Sequence, residues 1–83
     1  MARLLFFGKL GDLAGGRERK IPLPAGVNTL NDLIKAIEKD DHVLGNAIGE
    51  ISVRYVINEN IVDRFQTINE CDEIGFLPPV SGG

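Results

Sequence analysis

Few residues of this chain have the type and spacing that chemistry needs. Cys71 and His42 are the sole thiol and imidazole in the sequence. One of each falls short of the four ligands a structural metal site takes, so no metal is expected. A single cysteine cannot close an internal disulfide or hold an iron–sulfur cluster. No histidine stands near Cys71 in sequence to lower its pKa, so it reads as structural filler. His42 falls on the solvated start of a short helix. Glu38, Asp40 and Asp41 crowd a helix end, a charge run that normally faces water. Gly8, Gly11, Gly15 and Gly16 are not followed by the G-K-[ST] of a phosphate loop and read as a hairpin connection.

That leaves the chain end, Pro78-Pro79-Val80-Ser81-Gly82-Gly83. Each proline fixes φ and removes a donor, which stops the preceding strand and holds the tail off the body. Val80 is an apolar anchor. Ser81, Gly82 and Gly83 form a slim tip, because glycine has no Cβ and its backbone can pass through a narrow channel in another protein. A carboxylate is a poor acyl donor. It becomes reactive only when given a good leaving group, as in an acyl-adenylate made from ATP, and that work falls to a partner enzyme. The chain itself is expected to bind no cofactor.

The elements that must position this tail follow from periodicity. Arg3 to Phe7 is apolar on both faces, which marks a central strand or one whose outer face meets a partner. A glycine-punctuated connection with one helical turn near Lys9 to Ala14 leads to a second strand, Glu18 to Leu23, placed at an edge by Pro22. Leu30, Leu33, Ile34 and Ile37 form an i, i+3, i+4, i+7 stripe behind a Thr29-x-x-Asp32 capping pattern, predicting a helix from about Leu30 to Lys39. A shorter helix spans His42 to Ile48, with Gly49 ending it in a left-handed conformation. Strands follow at Ser52 to Ile57, Ile61 to Val62 and Glu73 to Leu77, the first two joined by a turn at Asn58-Glu59-Asn60.

The expected fold class is α+β, a mixed sheet of about five strands with one main helix across it. In this β-grasp arrangement the first and last strands lie side by side in the middle. Residues 1–83 make one domain whose flexible tail covers about 78–83. Leu4, Phe6, Ile74 and Phe76 are expected to face the helix. Alternation then turns Phe7 and Leu77 to the other side, where Ile61 joins them in a patch that docks partners.

Composition narrows the function further. An 83-residue chain with 43% hydrophobic and 25% charged residues is one ordinary soluble domain, with no room for a deep substrate pocket. It buries only roughly 60% of its unfolded surface, so a permanent partner would add stability. The net charge is −3 and the nine basic residues do not cluster, which argues against nucleic acid. The apolar start is too short for a signal peptide, and no stretch is long enough to cross a bilayer, so a cytoplasmic place without membrane contact is expected.

"RLLFFGKLGDLAGG" at the start, "CDEIGFLPPVSGG" at the end and the strand order between them resemble the small, sulfur-carrying subunit of molybdopterin synthase, a ubiquitin-like β-grasp family. The resemblance covers the whole chain, and PPVSGG is its most specific part. It implies that an adenylating, ubiquitin-activating-like enzyme adenylates the Gly83 carboxylate and that a sulfurtransferase supplies sulfur to give a thiocarboxylate. It further implies that the tail enters the large subunit of a heterotetrameric synthase. There sulfur passes to cyclic pyranopterin monophosphate, building the dithiolene that later binds molybdenum or tungsten. On this view the chain is a non-catalytic subunit and a recycled co-substrate. The sequence departs from relatives at Cys71, where a turn glycine is common, and at Gly11, where an arginine is common. A carrier serving thiazole formation for thiamine, a protein modifier, and a β-grasp interaction domain with an inert tail are the alternatives.

Overall fold

A computed structural model describes residues 1–79. Eight elements run in the order β1 (Ala2–Phe6), α1 (Lys9–Ala14), β2 (Glu18–Ile21), α2 (Leu30–Asp40), α3 (His42–Ile48), β3 (Arg54–Ile57), β4 (Asn60–Val62) and β5 (Glu73–Leu77). The five strands form one sheet in the order β2-β1-β5-β3-β4. β1 and β5 pair in parallel, with Leu4 opposite Ile74 and Phe6 opposite Phe76, while the other neighbours are antiparallel. The β-grasp expectation holds, with the first and last strands in the middle of a mixed sheet.

α2 crosses one face of that sheet because its stripe demands burial. Leu30, Leu33, Ile34 and Ile37 are all buried, and they meet Leu4, Phe6, Ile74 and Phe76 in one core. The Phe6 and Phe76 rings stack with centroids 5.3 Å apart, and Tyr55 meets Phe76 edge-on at 6.0 Å. Offset and edge contacts of this kind suit the ring quadrupoles. The Tyr55 hydroxyl donates to the Ile48 carbonyl at 2.8 Å, so the one polar atom of this aromatic group is satisfied. Burial pushes the Tyr55 phenol pKa up.

The capping box forms as expected. The Thr29 hydroxyl accepts from the Asp32 amide at 3.2 Å, and the Asp32 carboxylate accepts from the Thr29 amide at 3.1 Å. α3 starts at once on a second cap, with the Asp41 carboxylate accepting from the Leu44 amide at 3.0 Å. α2 and α3 then pack so closely that a Cβ on Gly45 would fall 2.3 Å from the Glu38 Cα.

Several boundaries differ from the sequence reading, each for a local reason. Gly49 is not left-handed: its φ is −85° and the helical turn runs on through it. A Cβ there would approach the Gly45 carbonyl oxygen to 3.1 Å and an Ile34 methyl to 3.6 Å, so glycine serves close approach and not handedness. β2 ends at Ile21 and not Leu23, because Pro22 has no N–H and the Leu23 amide turns to the Glu70 carboxylate. β3 begins at Arg54 and not Ser52, since the chain is still turning after α3. The β1–β2 connection holds a complete short helix, α1, closed by Gly15 at φ +78°.

The open sheet face and the root of the tail

The tail leaves from the middle of the sheet. β5 is hydrogen-bonded on both sides, to β1 and to β3, so Leu77 is held by the most constrained strand of the molecule. Pro78 then sits half-buried against Gly8, whose hypothetical Cβ would lie 3.0 Å from the Pro78 Cγ. Gly8 has φ +56°, a region where side-chain-bearing residues are strained. Pro79 is exposed. Val80, Ser81, Gly82 and Gly83, all named as site residues, lie outside the described residues.

The sheet face opposite α2 carries apolar side chains that no helix among the described residues covers. Leu5, Phe7, Val56, Gly75 and Leu77 line a depression of about 260 Å³, with Glu59 and Glu73 at its rim. Phe7 is 38% exposed, and its ring lies over Gly75, where a Cβ would come within 3.1 Å of the Phe7 Cε2. Glycine at this central position lets the aromatic ring lie against the sheet. Phe7 and Leu77 therefore share one depression. Ile61 stands opposite Val56 in the β3–β4 register, on the same face, but its 77% exposed side chain lines the neighbouring groove with Ile51.

Charges frame this apolar face. At the end where β5 begins, the Arg3 guanidinium bridges Glu18 and Glu73, with N–O distances of 2.8 Å to each. The hydrogen bond from Arg3 holds the Glu18 carboxyl below its ordinary pKa, and the Arg3 pKa is raised in turn. These groups are exposed, so the pairs orient side chains more than they stabilise the fold. At the tail end, Arg54 stands opposite Leu77. A second groove flanks the tail root on the other side, where Lys9, Leu13, Ala47, Ser52, Pro78 and Pro79 are among the residues lining about 450 Å³.

Comparison with known proteins returns proteins that share this fold over nearly the whole chain. The ThiS family model matches residues 4–83. The chain belongs to the ThiS family. A molybdopterin synthase sulfur carrier subunit from Dictyostelium discoideum is 31% identical over 84 residues, covering 98% of this chain and 94% of that one. A protein described as molybdopterin converting factor subunit 1 from Pyrococcus furiosus superposes with a TM-score of 0.77 at 28% identity, over 95% of this chain and 97% of the other. Small archaeal modifier protein 1 from Methanosarcina acetivorans gives 0.75 at 26% identity, over 99% and 95%. The chain is thus a homologue of a molybdopterin synthase sulfur carrier subunit with the ubiquitin-like β-grasp fold.

The remaining candidates take ordinary places within this family fold. Cys71 is exposed in the turn before β5, and no positive φ is needed there, so the departure from glycine leaves the turn intact. His42 is exposed beside Asn46, with 3.1 Å between Nε2 and Nδ2. Asp41 is a helix cap. Gly8 and Gly11 lead into and through α1, and Gly11 is buried with its hypothetical Cβ 3.1 Å from the Phe6 carbonyl oxygen, so this position presents no side chain to a partner. Among the described residues no three His, Cys, Asp or Glu side chains group as metal ligands, and no helix is long and apolar enough to cross a membrane.

The sequence reading missed Leu5, Val56, Gly75 and Arg54 as parts of the open face. Alternation carried a signal for all four: Leu5 lies two residues before Phe7, Gly75 two before Leu77, and Arg54 and Val56 flank the buried Tyr55. The cross-strand register was needed only to set Arg54 beside Leu77 and Val56 beside Gly75.

Proposed function

We propose that this chain is the sulfur carrier subunit of molybdopterin synthase. The observation that carries the reading is the placement of β5, the central strand, directly before Pro78, Pro79 and a Gly82-Gly83 end. An acyl group at the end of such a rigidly rooted arm can be presented to one enzyme after another. An adenylating partner joins the Gly83 carboxylate to the AMP portion of ATP and releases pyrophosphate. A persulfide on the sulfurtransferase attacks the acyl carbon and displaces AMP, and a second thiol then cleaves the resulting acyl disulfide, leaving a thiocarboxylate and a disulfide. In the large subunit, that sulfur bonds to a carbon of cyclic pyranopterin monophosphate as that carbon's bond to oxygen breaks, the oxygen leaving with the phosphate or as water. Water then cleaves the acyl–sulfur bond, returning the carboxylate for another round. The chain contributes position and binding: the Phe7–Leu77 face meets the partner, and the tail reaches the reacting centre.

The test is charging followed by transfer. Incubation with ATP, the adenylating enzyme and a sulfur source should raise the intact mass by the difference between sulfur and oxygen, with fragmentation placing the change on Gly83. Addition of the large subunit and the cyclic precursor should yield molybdopterin and restore the original mass. Cys71→Ser should behave as wild type, whereas deletion of Gly83 should stop activation. A tail that no partner adenylates overturns the reading.

The likeness to small archaeal modifier protein 1 favours a second reading, in which the activated Gly83 is joined to lysines of other proteins. Isopeptide-linked products in native extract would favour the modifier. A carrier that charges but supports only thiazole formation would keep the mechanism and change the pathway.

A further inference from the structure

The charges around the open sheet face point in one direction along the strands. Arg54 lies on the same face as Val56, directly opposite Leu77, the last residue of β5. No ion pair or side-chain hydrogen bond joins Arg54 to another residue among those described. The groove beside it also holds Glu50, Asp63 and Arg64; Arg64 is turned away to Asn31 and the Gly49 carbonyl. At the other end, Glu18 and Glu73 share the Arg3 cation, Lys20 stands opposite Arg3 and acts on Glu18, and Glu59 adds a third carboxylate at the rim. The tail end of the apolar depression therefore presents the Arg54 cation, and the other end carries three carboxylates against two cations. Glu73 and Leu77 are separated by four strand steps, so the two poles stand about 13 Å apart.

We infer that this face reads the polarity of its partner, the large synthase subunit, through Arg54 at the tail end and Glu59 with Glu73 at the far end. The matching surface carries an apolar side chain for the depression between Phe7 and Leu77, a carboxylate near the mouth of the channel that receives the tail, and a basic group about 13 Å away. Arg54 is a positioning residue and not a catalytic one. Gly83 lies six residues beyond Leu77, so an extended tail carries the reacting carbon as far as about 20 Å from the root. An apolar patch alone would accept the partner in either sense along the strands. Only one sense directs the tail into the channel, and opposed poles select it. The inference rests on the proposed sulfur-carrier function.

The experiment measures association of the full chain with the large subunit at low and high salt, for wild type, Arg54→Glu, Arg54→Ala, Glu59→Lys and the control Lys39→Glu on α2. Circular dichroism checks that each variant folds. Arg54→Glu and Glu59→Lys should each weaken association about tenfold or more at low salt, with Arg54→Ala intermediate. Added salt should shrink these differences, because exposed charges are screened over roughly 10 Å. Lys39→Glu should match wild type. Wild type that binds and delivers sulfur while Arg54→Glu and Glu59→Lys bind within about twofold of it overturns this inference alone. Wild type that does not bind the large subunit overturns both this inference and the proposed function.

Discussion

Gly8→Ala joins the backbone of the β1–α1 turn to the aim of the tail. Two separate costs follow from the structure. Alanine at φ +56° is strained by about 1–3 kcal/mol. Its Cβ would also stand 3.0 Å from the Pro78 Cγ, so Pro78 must give by a few tenths of an ångström. Taken about the Leu77 Cα, roughly 3.8 Å away, that displacement tilts the chain by roughly 5°. Gly83 is five residues beyond Pro78 and five residues span at most about 16 Å, so a tilt of that size shifts the point the tail can reach by up to about 1 Å. Misplacement of that size can cost on the order of a hundredfold. Two glycines leave bonds that take up part of the tilt, and a slowing of about tenfold is expected.

Gly15→Ala is the matched control. Gly15 has φ +78°, but nothing lies within 4 Å of its hypothetical Cβ. Both variants should lose stability through backbone strain, lowering Tm by about 4–8 °C for each kcal/mol. Only Gly8→Ala should slow thiocarboxylate formation, followed by intact mass against time at a temperature where both are folded. Equal charging rates in the two variants would refute the coupling between Pro78 packing and tail position.

Phe7→Asp and Leu77→Asp should each abolish binding to the large subunit with little change in circular dichroism, since both side chains lie on the open face; normal binding by the folded double variant would remove that face as the docking surface. Glu59→Gly should stabilise the fold by about 0.5–1 kcal/mol in denaturant unfolding, because Asn58 at φ +50° and Glu59 at φ +71° form a two-residue hairpin turn that favours Asn-Gly. Amide donors from Asn28 and Thr29 hold the Asp32 carboxyl below its ordinary pKa. A depressed folded pKa contributes stability that is present above the unfolded value of about 3.9 and lost as pH falls through the folded one. Unfolding midpoints should therefore fall below about pH 4, with a shallower acid slope in Asp32→Asn.

The fold was legible wherever the signal was local. Thr29 and Asp32 announce the start of α2 because a capping box closes within four residues. Leu30, Leu33, Ile34 and Ile37 announce its buried face because helical periodicity needs no distant partner. The central place of β1 was readable from its unbroken apolar run, and the edge strand from Pro22. Gly49 misled because a glycine after a helix serves either a left-handed turn or a close contact, and only the packing of α3 on Ile34 distinguishes the two.

The sequence by itself determined the core-facing stripes, the caps and the order of elements, along with the family to which PPVSGG pointed. Those properties depend on side-chain type at fixed short spacing. Tertiary structure alone decided that Phe7 lies over Gly75, that Ile61 faces the neighbouring groove, that Pro78 packs on Gly8 and that Arg54 stands opposite Leu77. Each of these joins residues more than twenty positions apart or, for Ile61, sets the side chain between two grooves, and a shift of one residue in strand pairing would turn the strand residues among them to the other face. That register is fixed by the whole core closing at once, and no short stretch of the chain contains it.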